Sequence, residues 1–344
     1  MEIEQGPGSP WVTYLLLGRI GDALMATALM DALARRYPLA RFRLVASAAC
    51  AGLDDEMLQG MVTPGASRHL KRWHHPRGNL QALLALRRRS QAVVDLNPAP
   101  SKSAAALMAL SRADAKVGFR KGGLLGQAYT RTIAPPREDE PMLERYRRLA
   151  AFLGASPAGV RGPRVLIGAA AAAWADRALG ELGAPPGRAF IIIHPGNFKK
   201  FDNRWPEEKF VALADRLSAR ADLRLCWLAG PGERGKVEAI ARACRTPAPL
   251  LPAATLQQTG ALLRRARLFI CNITGTTHLA HAVGARTFGL YSRYTDAVWR
   301  LKGEPCCGGI VSSEWNSCRS IGVEQAERGI SAVLAFPKDR NAGS

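Results

Sequence analysis

The chain has 344 residues, 47% of them hydrophobic and 22% charged, the make-up of a folded protein with room for two domains of about 150 residues each. Against 28 Asp+Glu stand 48 Lys+Arg, a formal charge of +20, so polyanions are the expected partners: nucleic acid, an anionic membrane surface or a phosphorylated glycolipid. Aromatic residues make up only 7% and do not interleave with the basic ones, which argues against a nucleic-acid-reading module, and no run reaches the roughly 18 apolar residues that span a bilayer.

The acidic, Pro/Gly-rich start MEIEQGPGSPWVTYLLLG has no basic n-region or cleavage-like site, so no secretory signal and a cytoplasmic location are expected. The cysteine count is odd, and Cys50, Cys226, Cys244 and Cys271 sit in apolar or helical settings that suit reduced, buried thiols. The first strand ends at Leu17 and passes through Gly18, Arg19, Ile20 and Gly21 into a helix over about 21–36. RFRLVAS reads as a strand, a short helix follows near residue 54, HLKRW is a weaker strand, NLQALLALRRR a helix and QAVVDL a buried strand. SKSAAALMALS is the next helix and AKVGF the next strand; the basic RKGGLLGQ and a helix from about Pro141 follow. Repeated β-α alternation predicts a parallel, doubly wound sheet.

SPAGVRGPR and GELGAPPGR are rich in Pro and Gly and predict a linker over 161–188, between domains at 1–160 and 189–344. The pattern then restarts. AFIIIHPG is a strand, PEEKFVALADRLSAR a helix with Pro206 at its first position, LRLCWLAG a strand, and PGERGKVEAIARAC and TLQQTGALLRRA are helices. RLFICN is a strand, TGTTHLAHAVG a helix, and RTFGLY the last clear strand. Two such halves predict two Rossmann-like domains, with ligands beyond the carboxyl ends of their strands.

Every polar turn lies at such an end. Asp22 stands in the first turn of the first helix, where a carboxylate either caps backbone N–H groups or serves as a base over a cleft. HPGNFKKFDNRW offers His194, Gly196, Asn197, Lys199, Lys200 and Arg204, as a pyrophosphate-binding loop or as plain basic surface. In LAGPGER, Gly230 and Gly232 permit close backbone approach, and Glu233 has the acceptors that ribose hydroxyls need. Thr274, Gly275, Thr276 and Thr277 open a helix, a ready anion site. His278 and His281 lie three apart without a third ligand, and Cys306, Cys307 and Cys318 lack paired CxxC spacing, so no metal site is expected.

Taken together, GRIGDALMATALMDALARRYP, VVDLNPAPSKSAAAL, KVGF, IIIHPG…RWPEEKF, LAGPGER and NITGTTHLAHAVGARTFGLY…W resemble, in order and spacing, the bacterial heptosyltransferases of glycosyltransferase family nine, over roughly residues 12 to 300. The resemblance implies the GT-B fold, an α/β architecture of two Rossmann-like doubly wound parallel-sheet domains facing across a cleft. It also implies inverting, metal-independent transfer of a sugar, usually heptose from ADP-heptose, to an anionic acceptor such as the inner core of lipopolysaccharide. Asp22 matches the family's base in its Gly-Asp turn. Donor contacts are then expected at His194, Gly196, Asn197, Lys199, Lys200, Arg204, Gly230, Glu233, Thr274, Gly275, Thr277 and His278. In the GT-B arrangement that the resemblance implies, the acceptor binds the first domain, which carries the basic stretch 68–89 and the Arg-Lys pair after VGF; acceptor contacts are expected at Arg19, Gly21, Arg120 and Lys121. No cofactor beyond the nucleotide-sugar substrate and no nucleic-acid partner are expected; the acceptor would be met at the cytoplasmic surface of the inner membrane.

The sequence departs from the family at two donor positions. Ile273 stands where members have the aspartate of Asp-Thr-Gly, and Asn203 where they have a lysine two residues before the tryptophan. Two further readings follow: a transferase acting on autotransporter-type protein acceptors, and a GT-B relic that binds without transferring.

Overall fold

The structure, a computed structural model, describes residues 1–6, 8–70, 76–183, 189–198, 203–304 and 306–335. The chain divides into two compact units, Met1–Leu166 and Ile167–Ser344.

In the first unit, β1 (Trp11–Leu16), α1 (Ile20–Arg36), β2 (Phe42–Ser47), β3 (Arg68–Leu70), α2 (Pro76–Arg87) and β4 (Ser90–Asp95) follow one another. They continue into α3 (Lys102–Leu110), β5 (Ala113–Phe119), α4 (Gly123–Gly126), β6 (Arg131–Ile133) and α5 (Met142–Phe152). The sheet is parallel throughout, in the order β3-β2-β1-β4-β5-β6. Val12 to Leu16 are all buried because a central parallel strand is covered on both faces. Right-handed crossovers send α1 to one face, where it meets α5, and α2, α3 and α4 to the other. On that second face Ala82, Ala85 and Leu86 of α2 and Ala104, Leu107 and Met108 of α3 share a core with Leu15 and Val93.

The second unit comprises α6 (Ala169–Glu181), β7 (Ala189–His194), α7 (Glu207–Ser218), β8 (Leu223–Trp227), α8 (Arg234–Arg242) and α9 (Leu256–Arg265). After these come β9 (Leu268–Asn272), α10 (Gly275–Ala282), β10 (Thr287–Tyr291), α11 (Arg293–Trp299), β11 (Cys307–Val311) and α12 (Val323–Ala335). Its parallel sheet has the order β11-β10-β9-β7-β8. Trp205, Phe210, Trp227 and Ile270 fill its core, closed from outside by α12 against α7.

The expected α/β class with two doubly wound parallel sheets is the class observed. Several local readings differ. No α-helix forms near residue 54; a 3-10 turn covers Ala48–Cys50, and the Asp54 carboxylate accepts from Met57 N in a further turn. The stretch 161–188, read as a linker, carries α6, whose alanines pack against α9. Pro206 caps α7 from the preceding position instead of entering it. β6 and β11, short or Gly-rich edge strands, and α12 lack the strong apolar signals of the central elements.

Each sheet has one place where the direction of chain winding reverses, and a crevice opens at the carboxyl ends of the two strands flanking it. In the first unit these strands are β1 and β4; in the second, β7 and β9.

Candidate active site

At the carboxyl end of β1 the chain turns through Gly18 and Arg19 into α1. Asp22 Oδ2 accepts the Arg19 backbone N–H at 2.8 Å, so the carboxylate does cap the helix. It can lie so close to the turn only because residue 18 has no side chain: a Cβ there would sit 2.7 Å from Asp22 Oδ2. Ser47 Oγ donates to Gly18 O at 2.6 Å and pins the turn to β2, while the Tyr146 hydroxyl donates to the Asp22 carbonyl at 3.4 Å from α5. Asp22 itself is half-buried.

The neighbouring strand β4 ends in Asp95, a fully buried carboxylate. The Tyr129 hydroxyl donates to its Oδ2 at 2.7 Å, Asn97 N donates to its Oδ1 at 3.0 Å, and the Lys121 ammonium stands 3.9 Å away. That ammonium donates to the carbonyls of Asn97, Pro98 and Ala99 at 2.8, 2.8 and 3.1 Å. Burial pushes the Asp95 carboxyl up, opposed by the Tyr129 hydroxyl and the Lys121 charge, and burial pushes the Lys121 ammonium down.

Of the residues expected to meet an acceptor, Arg19 and Arg120 are exposed at the carboxyl ends of β1 and β5. Gly21 and Lys121 are buried. Lys121 is an internal clamp on the loop after β4: its three N–H bonds are spent on backbone carbonyls.

In the second unit three loops come together at the β7–β9 crevice. His194 ends β7 and is buried; its Nε2 lies 3.0 Å from Glu233 Oε2. Glu233 also accepts Gly230 N at 3.0 Å and Asn197 N at 3.3 Å, so one carboxylate ties the turn after β8 to the turn after β7. A Cβ on Gly196 would run into His194 Nε2 and lie 2.6 Å from Glu233 Oε2, so glycine is required there. Asn197 takes the left-handed conformation at φ 89, which asparagine tolerates better than most residues. From β9, buried Asn272 donates to Pro195 O and Gly196 O at 3.0 and 3.2 Å and accepts Trp205 N at 2.8 Å. Thr277 Oγ1 bridges Asn272 O and Thr274 N at 3.0 and 3.1 Å, fixing the start of α10 at Gly275. His194 Nδ1, Asn203 Oδ1 and Thr274 Oγ1 are buried atoms without a partner among the described residues. Buried polar atoms are normally satisfied, and these three, among others in the molecule, belong to the loops of one crevice, where a polar ligand would find open partners.

Arg204 pairs with Glu207 at 3.0 Å and lies over the Phe198 ring, which Lys236 also approaches. Lys199 and Lys200 fall outside the described residues. His278, expected to touch a donor, is buried beside Trp299, and burial lowers its pKa to about 4. It is neutral at pH 7 and brings no charge to a diphosphate. Cys306 and Cys307 have sulfurs 3.5 Å apart, whereas Cys318 is turned to the Leu290 carbonyl; no group of three metal-ligating side chains occurs among the described residues.

Sequence reasoning passed over Asp95, Tyr129 and Asn272. For two of them a signal was present: a polar residue closing an otherwise apolar strand, as in QAVVD and LFICN, needs a partner if the strand is buried.

Glu233 gives a pH prediction. Burial alone would raise its carboxyl, but the His194 ring and the backbone N–H groups outweigh it and hold the pKa below the ordinary value. A depressed folded pKa contributes stability above the ordinary carboxylate range, and this is lost as pH falls through the folded pKa. Glu233→Gln should therefore cost about 1–3 kcal/mol at pH 7, with the gap to wild type closing in acid. Urea unfolding between pH 3 and 7 checks this; a pH-independent gap would refute it.

A model of glycosyltransferase family 9 (heptosyltransferase) matches residues 83–315. No curated protein matches the sequence. Among solved structures, a family 9 glycosyltransferase from Veillonella parvula is similar at 16% identity and TM-score 0.81, over 95% of this chain and 97% of that one. The E. coli ADP-heptose lipopolysaccharide heptosyltransferase II is similar at 18% identity and TM-score 0.73, over 94% and 98%. E. coli heptosyltransferase WaaC, solved with ADP-2-deoxy-2-fluoro heptose, is similar at 19% identity and TM-score 0.68, over 94% and 99%. Identities this low show a shared fold. No helix among the described residues is long and apolar enough to cross a membrane.

Proposed function

Because the chain belongs to glycosyltransferase family 9, the heptosyltransferase family, and is a glycosyltransferase, we propose that it moves heptose from ADP-heptose to an anionic inner-core lipopolysaccharide acceptor, with inversion. The observation that carries the reading is the set of polar loops at the β7–β9 crevice. His194 Nδ1, Asn203 Oδ1 and Thr274 Oγ1, without partners among the described residues, lie on the loops where this reading puts the nucleotide-sugar.

Asp22 takes the proton of the acceptor hydroxyl as the oxygen attacks C1 of the donor sugar. The C1–O bond to the diphosphate breaks and ADP leaves. Charge developing on the diphosphate is met by Arg204, by Lys199 and Lys200, and by the amides at the start of α10. Glu233 holds the two turns in register from within, with its oxygens engaged by His194, Asn197 and Gly230. On the first unit, Arg19 and Arg120 steer the acceptor's negative groups. No metal and no cofactor beyond the nucleotide-sugar enter this scheme. The work would take place at the cytoplasmic face of the inner membrane, where a growing lipopolysaccharide core is exposed.

Binding without transfer is the second reading, favoured by Ile273 and Asn203 at positions where the family pattern has donor-contacting Asp and Lys. A thermal-shift panel of ADP-, UDP-, GDP- and CMP-linked sugars followed by a turnover assay separates the two. A specific donor at a hundred times its Kd adds about 2.7 kcal/mol to the folded state. ADP-heptose alone should raise the melting temperature, and Arg204→Ala should shrink that rise. Stabilisation by none of the panel would overturn the proposal; stabilisation without turnover would favour the binding relic.

A further inference from the structure

Four leucines on one face of the first unit's sheet are out of place for a buried or solvated role. Leu80 and Leu84, one turn apart on α2, are 55% and 53% exposed, Leu110 at the end of α3 is 52% exposed, and Leu124 on α4 is 81% exposed. All three helices lie on the side opposite α1 and α5. Arg112 N donates to Leu86 O and Ser90 N to Arg112 O, both at 3.2 Å, so the ends of α2 and α3 are tied together. This junction gathers Leu84, Leu110 and the exposed Arg87, Arg88, Arg89 and Arg112. None of those four arginines forms an ion pair among the described residues. Over residues 57–113 the chain has nine basic residues and one acidic residue, and that one, Asp95, is fully buried.

Aliphatic side chains standing out between unpaired arginines have the chemistry of an interfacial face: the leucines enter the acyl boundary while the guanidiniums stay with phosphate headgroups. A nucleic acid would be met with aromatic stacking platforms, and this face offers leucines. A second copy of a +20 chain would bring like charge to like.

We infer that the α2–α3–α4 face docks the protein on an anionic phospholipid bilayer, with Leu80, Leu84, Leu110 and Leu124 inserted and Arg87, Arg88 and Arg89 on the headgroups. Its purpose rests on the proposed reading of a lipid-borne acceptor, but its test reads vesicle binding and requires no turnover.

The test is co-sedimentation with vesicles of phosphatidylcholine alone and with 30% phosphatidylglycerol added, using the full chain. Wild type should bind the anionic vesicles and leave the neutral ones, with affinity falling as salt rises. Arg87→Gln, Arg88→Gln and Arg89→Gln together should weaken binding about a hundredfold. Leu80→Ser with Leu84→Ser, exposed positions whose change spares the fold, should weaken it at least tenfold at equal charge. A control with Arg234, Arg242 and Arg245 of the second unit changed to Gln should bind within about twofold of wild type. Equal loss in the control would make net charge the cause and overturn the assignment. So would unchanged binding in the leucine variant, or light scattering that shows wild type as a dimer which Leu80→Ser with Leu84→Ser dissolves. Failed vesicle binding with intact turnover would remove the docking face alone; vesicle binding without turnover would remove the catalytic reading alone.

Discussion

Asp22→Asn should lower sugar transfer by about a hundredfold or more while leaving the melting temperature and donor affinity at wild-type values. General bases contribute about 10²- to 10⁴-fold, and an amide cannot take the acceptor's proton. The structure makes the variant a clean one. Asp22 Oδ2 already accepts the Arg19 N–H, and a carboxamide oxygen can accept the same bond, so the cap on α1 survives. The space left by Gly18 admits either side chain. Turnover with ADP-heptose, a circular-dichroism melt and donor titration together decide it. A variant that transfers at the wild-type rate leaves Asp22 as a helix cap and nothing more.

Lys121→Met should be the most destabilising single change in the first unit, at about 3–5 kcal/mol, because it strands a buried charge. Asp95 would keep the Tyr129 hydroxyl and Asn97 N–H but lose the Lys121 ammonium, and three carbonyls would lose their donor. Burial already pushes both groups of the pair toward their neutral forms, so neither charge is tolerated without the other. The first unit's unfolding transition should fall by on the order of 10 °C. Adding Asp95→Asn should recover part of the loss, since the stranded charge goes with it, and a double-mutant cycle measures the coupling. Wild-type melting for Lys121→Met would refute the clamp. The same experiment separates the two neighbours after β5. Arg120→Glu, at an exposed position, should raise the acceptor KM without moving the melt, whereas Lys121 acts through the fold.

The central strands and most of the helices that join them were legible because central parallel strands are continuous apolar runs and their helices begin at recognisable caps. Elements at the margins were not. β6 is three residues long, with Arg131 and Thr132 exposed, so burial selects little in its sequence. α6, whose first five residues are alanine, lies between Pro/Gly-rich segments; its helical character is strong, but the small side chains it packs on α9 carry little apolar signal. The turns of the candidate site were legible as glycines and polar residues at strand ends, and His194, Gly196, Asn197, Glu233 and Thr274 do gather at one crevice. One contact there was not: Glu233 also meets His194, 39 positions away, and two backbone amides, partners that only the folded chain brings to it.

By itself, then, the sequence determined the class of fold, the strand-end position of every polar turn and the positive charge of the first half. These follow from periodicity, capping chemistry and composition, which are local or additive along the chain. Only the tertiary structure decided which of the charged and polar residues face outward. Lys121 and Arg120 are adjacent in sequence, yet one closes a buried network with Asp95 and Tyr129 and the other meets solvent. His278 looked available on its helix and is neutral in the interior. Burial is set by what segments far apart in the chain place over a side chain, and the cost of an unpaired charge in that interior fixes its partner and so its role.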